Sequence, residues 1–76
     1  MSAFHFARAF KQATGETPHR FVLRRRLERA KLALARGEPP VQVAAACGFA
    51  SQSHFGVRFQ EATGLTPGRY AHVFGR

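Results

Sequence analysis

Residues 46–59 read ACGFASQSHFGVRF, which places a glycine in a short break between two helical patterns. An apolar helical segment ends just before Gly48, which supplies a backbone conformation that other residues resist. The side chain of Phe49 is expected to be buried beneath the turn. Ala44, four residues before the glycine, is predicted to face the next helix at close range. A second helix is predicted from Ser51, so the stretch has the pattern of a helix-turn-helix.

The residues that follow this turn are polar. The four residues from Ser51 to His54 would be poor core side chains, but their donors and acceptors suit phosphates and base edges. In a helix-turn-helix, the second helix enters the major groove of DNA with its N-terminal residues nearest the bases. Spacing alone is equally compatible with an ordinary helical hairpin, so charge and repetition must decide between the two.

The charge of the chain favours a polyanionic partner. Twelve Lys and Arg oppose four acidic residues, which gives a net charge of +8 and an isoelectric point near 11.6. All but one of the cations are spread over residues 8–69 rather than confined to a tail. This distribution indicates nucleic-acid binding, and a merely soluble basic surface is the alternative.

Length and cysteine content narrow the class of protein. The 76 residues allow one small domain, and the hydrophobic content of 45% argues against disorder throughout. No stretch approaches the roughly 18 unbroken apolar residues of a membrane span, and no signal-peptide pattern is present. The single cysteine, Cys47, fits a reducing compartment. The sequence therefore predicts a cytoplasmic protein with no membrane partner.

An internal repeat is the clearest pattern in the chain. Residues 2–21, SAFHFARAFKQATGETPHRF, align with residues 51–70, SQSHFGVRFQEATGLTPGRY, and ten of the twenty aligned positions are identical. In each copy a serine precedes a helix, two phenylalanines lie four apart on one face, and Thr-Gly ends the helix. Thr-Pro then starts the next helix. Two copies of one supersecondary unit are therefore predicted.

Five helices are predicted, over residues 3–13, 18–36, 40–46, 51–62 and 67–74. The longest is expected to bury an apolar stripe and to leave its arginines elsewhere; the stripe comprises Phe21, Val22, Leu23, Leu27, Ala30 and Leu34. The aromatic side chains are predicted to pack in the core or between subdomains, namely Phe6, Phe10, Phe21, Phe55, Phe59, Tyr70 and Phe74. His5 and His54 occupy equal places in the repeat and are expected to be structural.

These segments resemble the DNA-binding domain of the AraC/XylS family of bacterial transcription regulators. The resemblance rests on HFARAFKQATGETP at 5–18, RRRLERAKLAL at 24–34 and VAAACGFASQSHFGVRFQEATGLTPGRY at 43–70. It implies an all-α fold in which two helix-turn-helix subdomains are joined by a long linker helix. It also implies double-stranded operator or promoter DNA as the partner, with the two recognition helices in adjacent major grooves, and RNA polymerase as a further candidate partner.

The resemblance also predicts how the chain is divided. Residues 1–16 are expected to be the remnant of the first helix-turn-helix with its recognition helix, 17–37 the linker helix, and 38–76 the second subdomain. Because the chain begins at Met1-Ser2, inside or just after the turn of the first copy, the first subdomain is predicted to be incomplete. The effector or dimerisation domain of the family is expected to be absent from this chain.

The resemblance and helical geometry together give the candidate DNA-binding residues. Arg8 is the best candidate for base reading, because a guanidinium can bond the O6 and N7 atoms of guanine together. Lys11 is expected to contact phosphate, and Arg58, off the central face, to reach the DNA backbone. The full set is Phe4, Ala7, Arg8, Lys11, Ser51, Gln52, Ser53, Gly56, Val57 and Arg58.

The residues predict neither catalysis nor metal binding. Four glutamates are scattered, aspartate is absent, and no histidine or cysteine pair has zinc-finger spacing. We therefore expect no enzyme, no cofactor and no metal. Two other interpretations stay open: a truncated chain without function, and a cationic amphipathic peptide that binds membranes or acidic partners through its arginine-rich helix.

Overall fold

Five α-helices form the part of the chain that the computed structural model describes, which is residues 3–75 for the backbone and 5–75 for the side chains. In chain order they are α1 Ala3–Thr14, α2 Pro18–Ala35, α3 Pro40–Ala46, α4 Gln52–Thr63 and α5 Pro67–Phe74. Residues 3–75 contain no strand. The all-α class is confirmed, and every helix begins and ends within one residue of its predicted bounds.

Hydroxyl side chains cap the N-termini of three of these helices. Each accepts a hydrogen bond from the backbone N–H three residues further on: Thr17 from Arg20 (3.2 Å), Ser51 from His54 (3.0 Å) and Thr66 from Arg69 (3.1 Å). Proline follows both threonines at the first helical position, where its missing N–H costs nothing. The predicted caps are therefore confirmed, except at Ser2, which lies outside the described residues.

The two copies of the repeat have the same local geometry. At the end of α1, the Thr14 hydroxyl donates to the carbonyl oxygens of Phe10 (2.8 Å) and Glu16 (3.0 Å). At the end of α4, the Thr63 hydroxyl donates to the matching oxygens of Phe59 (2.9 Å) and Leu65 (3.0 Å). The repeat predicted from the sequence is thus reproduced at the level of single hydrogen bonds.

Ring contacts repeat in the same way. Phe10 lies 5.9 Å from Phe6 and 5.4 Å from Phe21, measured between ring centroids. In the second copy, the equivalent Phe59 lies 5.5 Å from Phe55 and 5.2 Å from Tyr70, again in an edge-on arrangement with the second ring. Each copy therefore joins its first helix to its second through one aromatic pair.

The hydrophobic core lies where α2, α3, α4 and α5 meet. Its buried side chains are Leu27, Ala30, Ala33, Leu34, Val43, Ala44, Phe49, Phe55 and Phe59. The inward face of α2 runs through residues 23, 27, 30 and 34, which recur at the helical period. Val22 was predicted to belong to this stripe, but it lies beside that face and is exposed, so that part of the prediction is wrong.

The two copies differ in burial. Phe55 and Phe59 are completely buried, because α3, Phe49 and α2 cover them. Phe6, at the place equivalent to Phe55, is 54% exposed, and its ring contacts that of Phe10 on the same helix. The predicted packing role of Phe6 is therefore wrong for this chain, and so is that of Phe74, which stacks on Tyr70 but stays largely exposed.

Candidate nucleic-acid interface

The turn between α3 and α4 is closed by a pair of backbone hydrogen bonds around Gly48. The N–H of Gly48 donates to the carbonyl of Ala45 (3.2 Å), and that of Phe49 donates to the carbonyl of Ala44 (3.1 Å). This is the Schellman arrangement, which needs a left-handed residue after the helix, and Gly48 has φ +87°. A side chain at Gly48 would also meet the Arg26 guanidinium, whose Nε lies 3.1 Å from the Cβ position.

Phe49 fixes the angle at which α4 leaves the turn. Its ring is buried and lies 4.9 Å from the ring of Phe55 on α4, while Ala44 is buried on the side of α3. The predicted burial of Phe49 beneath the turn is confirmed, and the close approach of Ala44 to the next helix stays a prediction. Because Phe55 and Phe59 hold the inner face of α4, its opposite face points away from the core.

The outer face of α4 presents a mixture of polar and apolar residues and no charged side chain. Gln52, Ser53 and Val57 are exposed, and a Cβ at Gly56 would meet nothing within 4 Å. The Ser51 hydroxyl oxygen accepts the capping hydrogen bond from the His54 N–H, so its own proton remains available for donation. These predicted residues therefore lie together on one accessible surface at the N-terminal end of α4.

Arg58 lies away from that surface. Its Nη1 is 3.2 Å from the Glu61 carboxylate, and both residues border a cleft between α2 and α4. The i, i+3 spacing of the two residues accounts for the pair. The contribution of Arg58 to DNA binding stays a prediction, and in this structure its guanidinium is engaged with an acid.

Gln60 was missed in the sequence analysis. It is exposed one turn beyond Val57, on the same face of α4. The signal was available, because the repeat places Lys11 opposite Gln60, just as it places Arg8 opposite Val57. The outer face of α4 therefore runs from Gln52 to Gln60.

The matching face of α1 is cationic. Arg8 and Lys11 are exposed and lie three residues apart, Ala7 is half-buried, and the side chain of Phe4 lies outside the described residues. No ion pair involves Arg8 or Lys11 within the described chain. The two recognition candidates thus differ in chemistry, since α1 presents two free cations and α4 presents none.

Each of the four acidic residues of the chain forms an ion pair with an arginine. Glu16 and Glu28 both pair with Arg24, and the remaining two pairs are Arg36–Glu38 and Arg58–Glu61. The hydrogen bonds that Arg24 donates to the carboxylates of Glu16 and Glu28 raise the pKa of its guanidinium above its ordinary value. Within residues 3–75 the cations left without an acidic partner are Arg8, Lys11, Arg20, Arg25, Arg26, Arg29, Lys31 and Arg69.

Other kinds of site find no support in the described chain. Residues 3–75 hold no cluster of three or more histidine, cysteine or acidic side chains that could bind a metal ion. Cys47 is half-buried, and burial raises the pKa of its thiol. Among these same residues, no helix has both the length and the apolar composition needed to cross a bilayer.

Comparison with known proteins places the chain in a family. A family profile described as a helix-turn-helix domain matches residues 1–72, which is nearly the whole chain. The chain belongs to the AraC/XylS family. The resemblance inferred from the three sequence segments is therefore confirmed, and the chain belongs to a family of DNA-binding transcription regulators.

The relatives of this AraC/XylS domain are regulators of transcription. It is 47% identical over 66 residues to a probable transcriptional regulator, LumQ, of Photobacterium leiognathi, covering 86% of this chain and 27% of that protein. It is 38% identical over 77 residues to the HTH-type transcriptional regulator MtrA of Neisseria gonorrhoeae, covering 100% of this chain and 26% of the relative. The chain thus spans about a quarter of the length of these curated relatives.

A solved structure has the same fold as this AraC/XylS domain. The C-terminal domain of the two-component response regulator YesN from Fusobacterium nucleatum superposes with a TM-score of 0.86 at 26% identity. The match covers 93% of this chain and 70% of that one. It confirms the helical architecture described above.

Proposed function

We propose that the chain binds double-stranded DNA in a sequence-specific manner, as part of a bacterial transcription regulator that acts in the cytoplasm. α1 and α4 enter adjacent major grooves on one side of the duplex. The observation that carries this proposal is the repeat: the same helical unit occurs twice, and each copy presents an exposed helix face. A packed core favours this function over a peptide that folds only on a membrane.

The dimensions of the molecule support two contacts on one duplex. α2 has 18 residues and is about 27 Å long at the helical rise, and the whole molecule is 45 Å in its longest direction. Successive major grooves on one side of B-DNA are about 34–36 Å apart. We therefore propose that residues 17–37 act as the linker between a first unit at 1–16 and a second unit at 38–76.

The two helices have different proposed roles on DNA. On α1, Arg8 reads guanine, Lys11 contacts phosphate, and Phe4 and Ala7 line the same face. This helix contributes two of the eight cations that have no acidic partner in the described chain, whereas the outer face of α4 contributes none.

On α4 the proposed contacts are neutral. Ser51 donates to phosphate at the helix N-terminus, and Gln52 and Ser53 bond the edge of an adenine or a phosphate. Gly56 leaves room for close approach, and Val57 contacts the methyl group of thymine. The engagement of RNA polymerase stays a prediction, as does the effector domain of a longer regulator.

Salt dependence tests DNA binding itself. If about five phosphates are neutralised, the logarithm of the association constant falls with the logarithm of salt with a slope near −4.5, or roughly 500-fold between 50 and 200 mM. Fluorescence anisotropy with a labelled duplex measures this slope. Lys11→Ala should make the slope shallower by about one, whereas Arg36→Ala should not, because Arg36 is already paired with Glu38. A slope near zero for the unmodified chain would refute the proposed function.

Thymine methyl groups test the role of α4. Replacing each thymine of the preferred duplex by deoxyuridine removes a single methyl, and burial of one methyl is worth about 0.8 kcal/mol, or fourfold in affinity. We expect such a loss at one position or two within the half-site that α4 reads. In Val57→Ala the thymine–uracil difference should shrink at those positions, because the exposed valine methyls are gone. An identical difference in both proteins would remove Val57 from the interface.

A further inference from the structure

Arg24 connects the end of α1 to the middle of α2. Its Nη2 lies 2.7 Å and its Nε 3.0 Å from the same carboxylate oxygen of Glu16, in the turn that follows α1. Its Nη1 lies 2.9 Å from the carboxylate of Glu28, one turn further along α2. The guanidinium thus binds two acids, one in the turn between α1 and α2 and one on α2 itself.

The same guanidinium also borders the aromatic contact at this junction. Its carbon lies 5.3 Å from the ring centroid of Phe21, a cation–π distance. Phe21 also contacts Phe10 of α1, whose ring centroid is 5.4 Å away. Glu16, Arg24, Phe21 and Phe10 therefore form one continuous set of contacts, which we name the α1 junction.

The second copy of the repeat holds its equivalent junction differently. Leu65 stands at the position of Glu16, and Val73 stands at the position of Arg24. There Phe59 is fully buried, and the core of α2, α3 and α4 surrounds it. The orientation of α4 thus rests on apolar packing, whereas that of α1, with Phe6 exposed beside it, depends on a set of ionic and ring contacts.

We propose that Arg24, held by Glu16 and Glu28, is a positioning residue for DNA recognition, which sets the orientation of α1 on α2 and hence the place of Arg8 on the bases. This inference rests on the proposed function. It separates Arg24 from the neighbouring Arg25 and Arg26, which have no acidic partner in the described chain. Arg24 itself makes no contact with DNA in this proposal.

The direction of the change in DNA affinity caused by one substitution distinguishes a positioning role from simple electrostatics. Glu16→Gln removes one negative charge and raises the net charge from +8 to +9. If charge alone mattered, every duplex would bind more tightly. If Glu16 holds Arg24 in place, the preferred duplex should instead bind more weakly, because α1 no longer presents Arg8 in one orientation.

The probe is the duplex that the unmodified chain selects from a random-sequence library. We expect Glu16→Gln to bind it about fivefold more weakly, in the range measured for residues coupled within one network. Glu38→Gln is the matched control, because it makes the same charge change at the Arg36 pair beyond the end of α2. The control should bind equally or slightly more tightly. Glu16→Asp, which keeps the charge, should recover part of the loss.

Base discrimination supplies the readout that a merely structural role would not change. In Glu16→Gln, the preference at the base pair read by Arg8 should fall, while the thymine–uracil difference at the α4 half-site should persist. Far-UV circular dichroism and thermal unfolding should match those of Glu38→Gln. Equal affinities for the two glutamine variants would overturn the positioning role while leaving DNA binding intact. A chain that selects no sequence at all would overturn the proposed function, and the positioning role with it.

Discussion

Phe55→Ala is expected to lower the free energy of unfolding by about 3–5 kcal/mol, whereas Phe6→Ala, at the equivalent place in the repeat, should cost less than about 1 kcal/mol. Phe55 is fully buried against Phe49 and Phe59, so its removal leaves a cavity in the core. Phe6 is 54% exposed and contacts the ring of Phe10, so most of its surface is already in water.

Urea denaturation followed by circular dichroism measures both changes. A domain of this size has a stability of only several kcal/mol, so Phe55→Ala should be largely unfolded at 25 °C without denaturant. Phe55→Leu, which keeps most of the volume, should remain folded and allow a value to be measured. Equal losses for the alanine variants of Phe6 and Phe55 would contradict the difference in burial between the two copies.

Arg8→Ala is expected to weaken binding to the preferred duplex by about 1–3 kcal/mol, or 5- to 150-fold. The reason is the loss of a bidentate contact to guanine, which neither a smaller side chain nor Lys11 can replace. The variant should also lose its preference at one base pair, and it should stay folded, because Arg8 is exposed and unpaired in the described structure.

The discriminating measurement for Arg8 is a set of competition titrations with single base-pair variants of the preferred duplex. Arg36→Ala serves as the control, since it removes the same charge from a guanidinium that is paired with Glu38. A loss in Arg8→Ala that is equal for every duplex would assign Arg8 to the DNA backbone instead of a base.

Local sequence determined much of the fold in advance. Helix ends follow from residues that act within four positions of themselves, such as the Ser51 cap and the left-handed Gly48, and these features were predicted correctly. The inner face of α4 was predictable as well, because Phe55 and Phe59 recur at helical spacing in both copies.

Features that depend on distant neighbours were not predictable in the same way. The exposure of Phe6 follows from the absence of a covering helix within residues 3–75, not from its own sequence context, which matches that of Phe55. The bond between Arg24 and Glu16 joins α2 to the turn that precedes it, across eight residues, so no helical periodicity indicates it. Gln60 is the opposite case, because its alignment with Lys11 in the repeat was sufficient to predict that it lies on the outer face of α4.

Affinity cleavage is the most direct test that α1 and α4 read adjacent grooves of one duplex. In a Cys47→Ala chain, an iron–EDTA group is attached at Gln12→Cys on α1 or at Gln60→Cys on α4, both exposed positions. We predict one cleavage centre for each variant, and the two centres should lie about 10–10.5 base pairs apart on the same face of the preferred duplex. Centres that coincide, that lie on opposite faces, or that arise from only one of the two helices would contradict the proposed mode of binding.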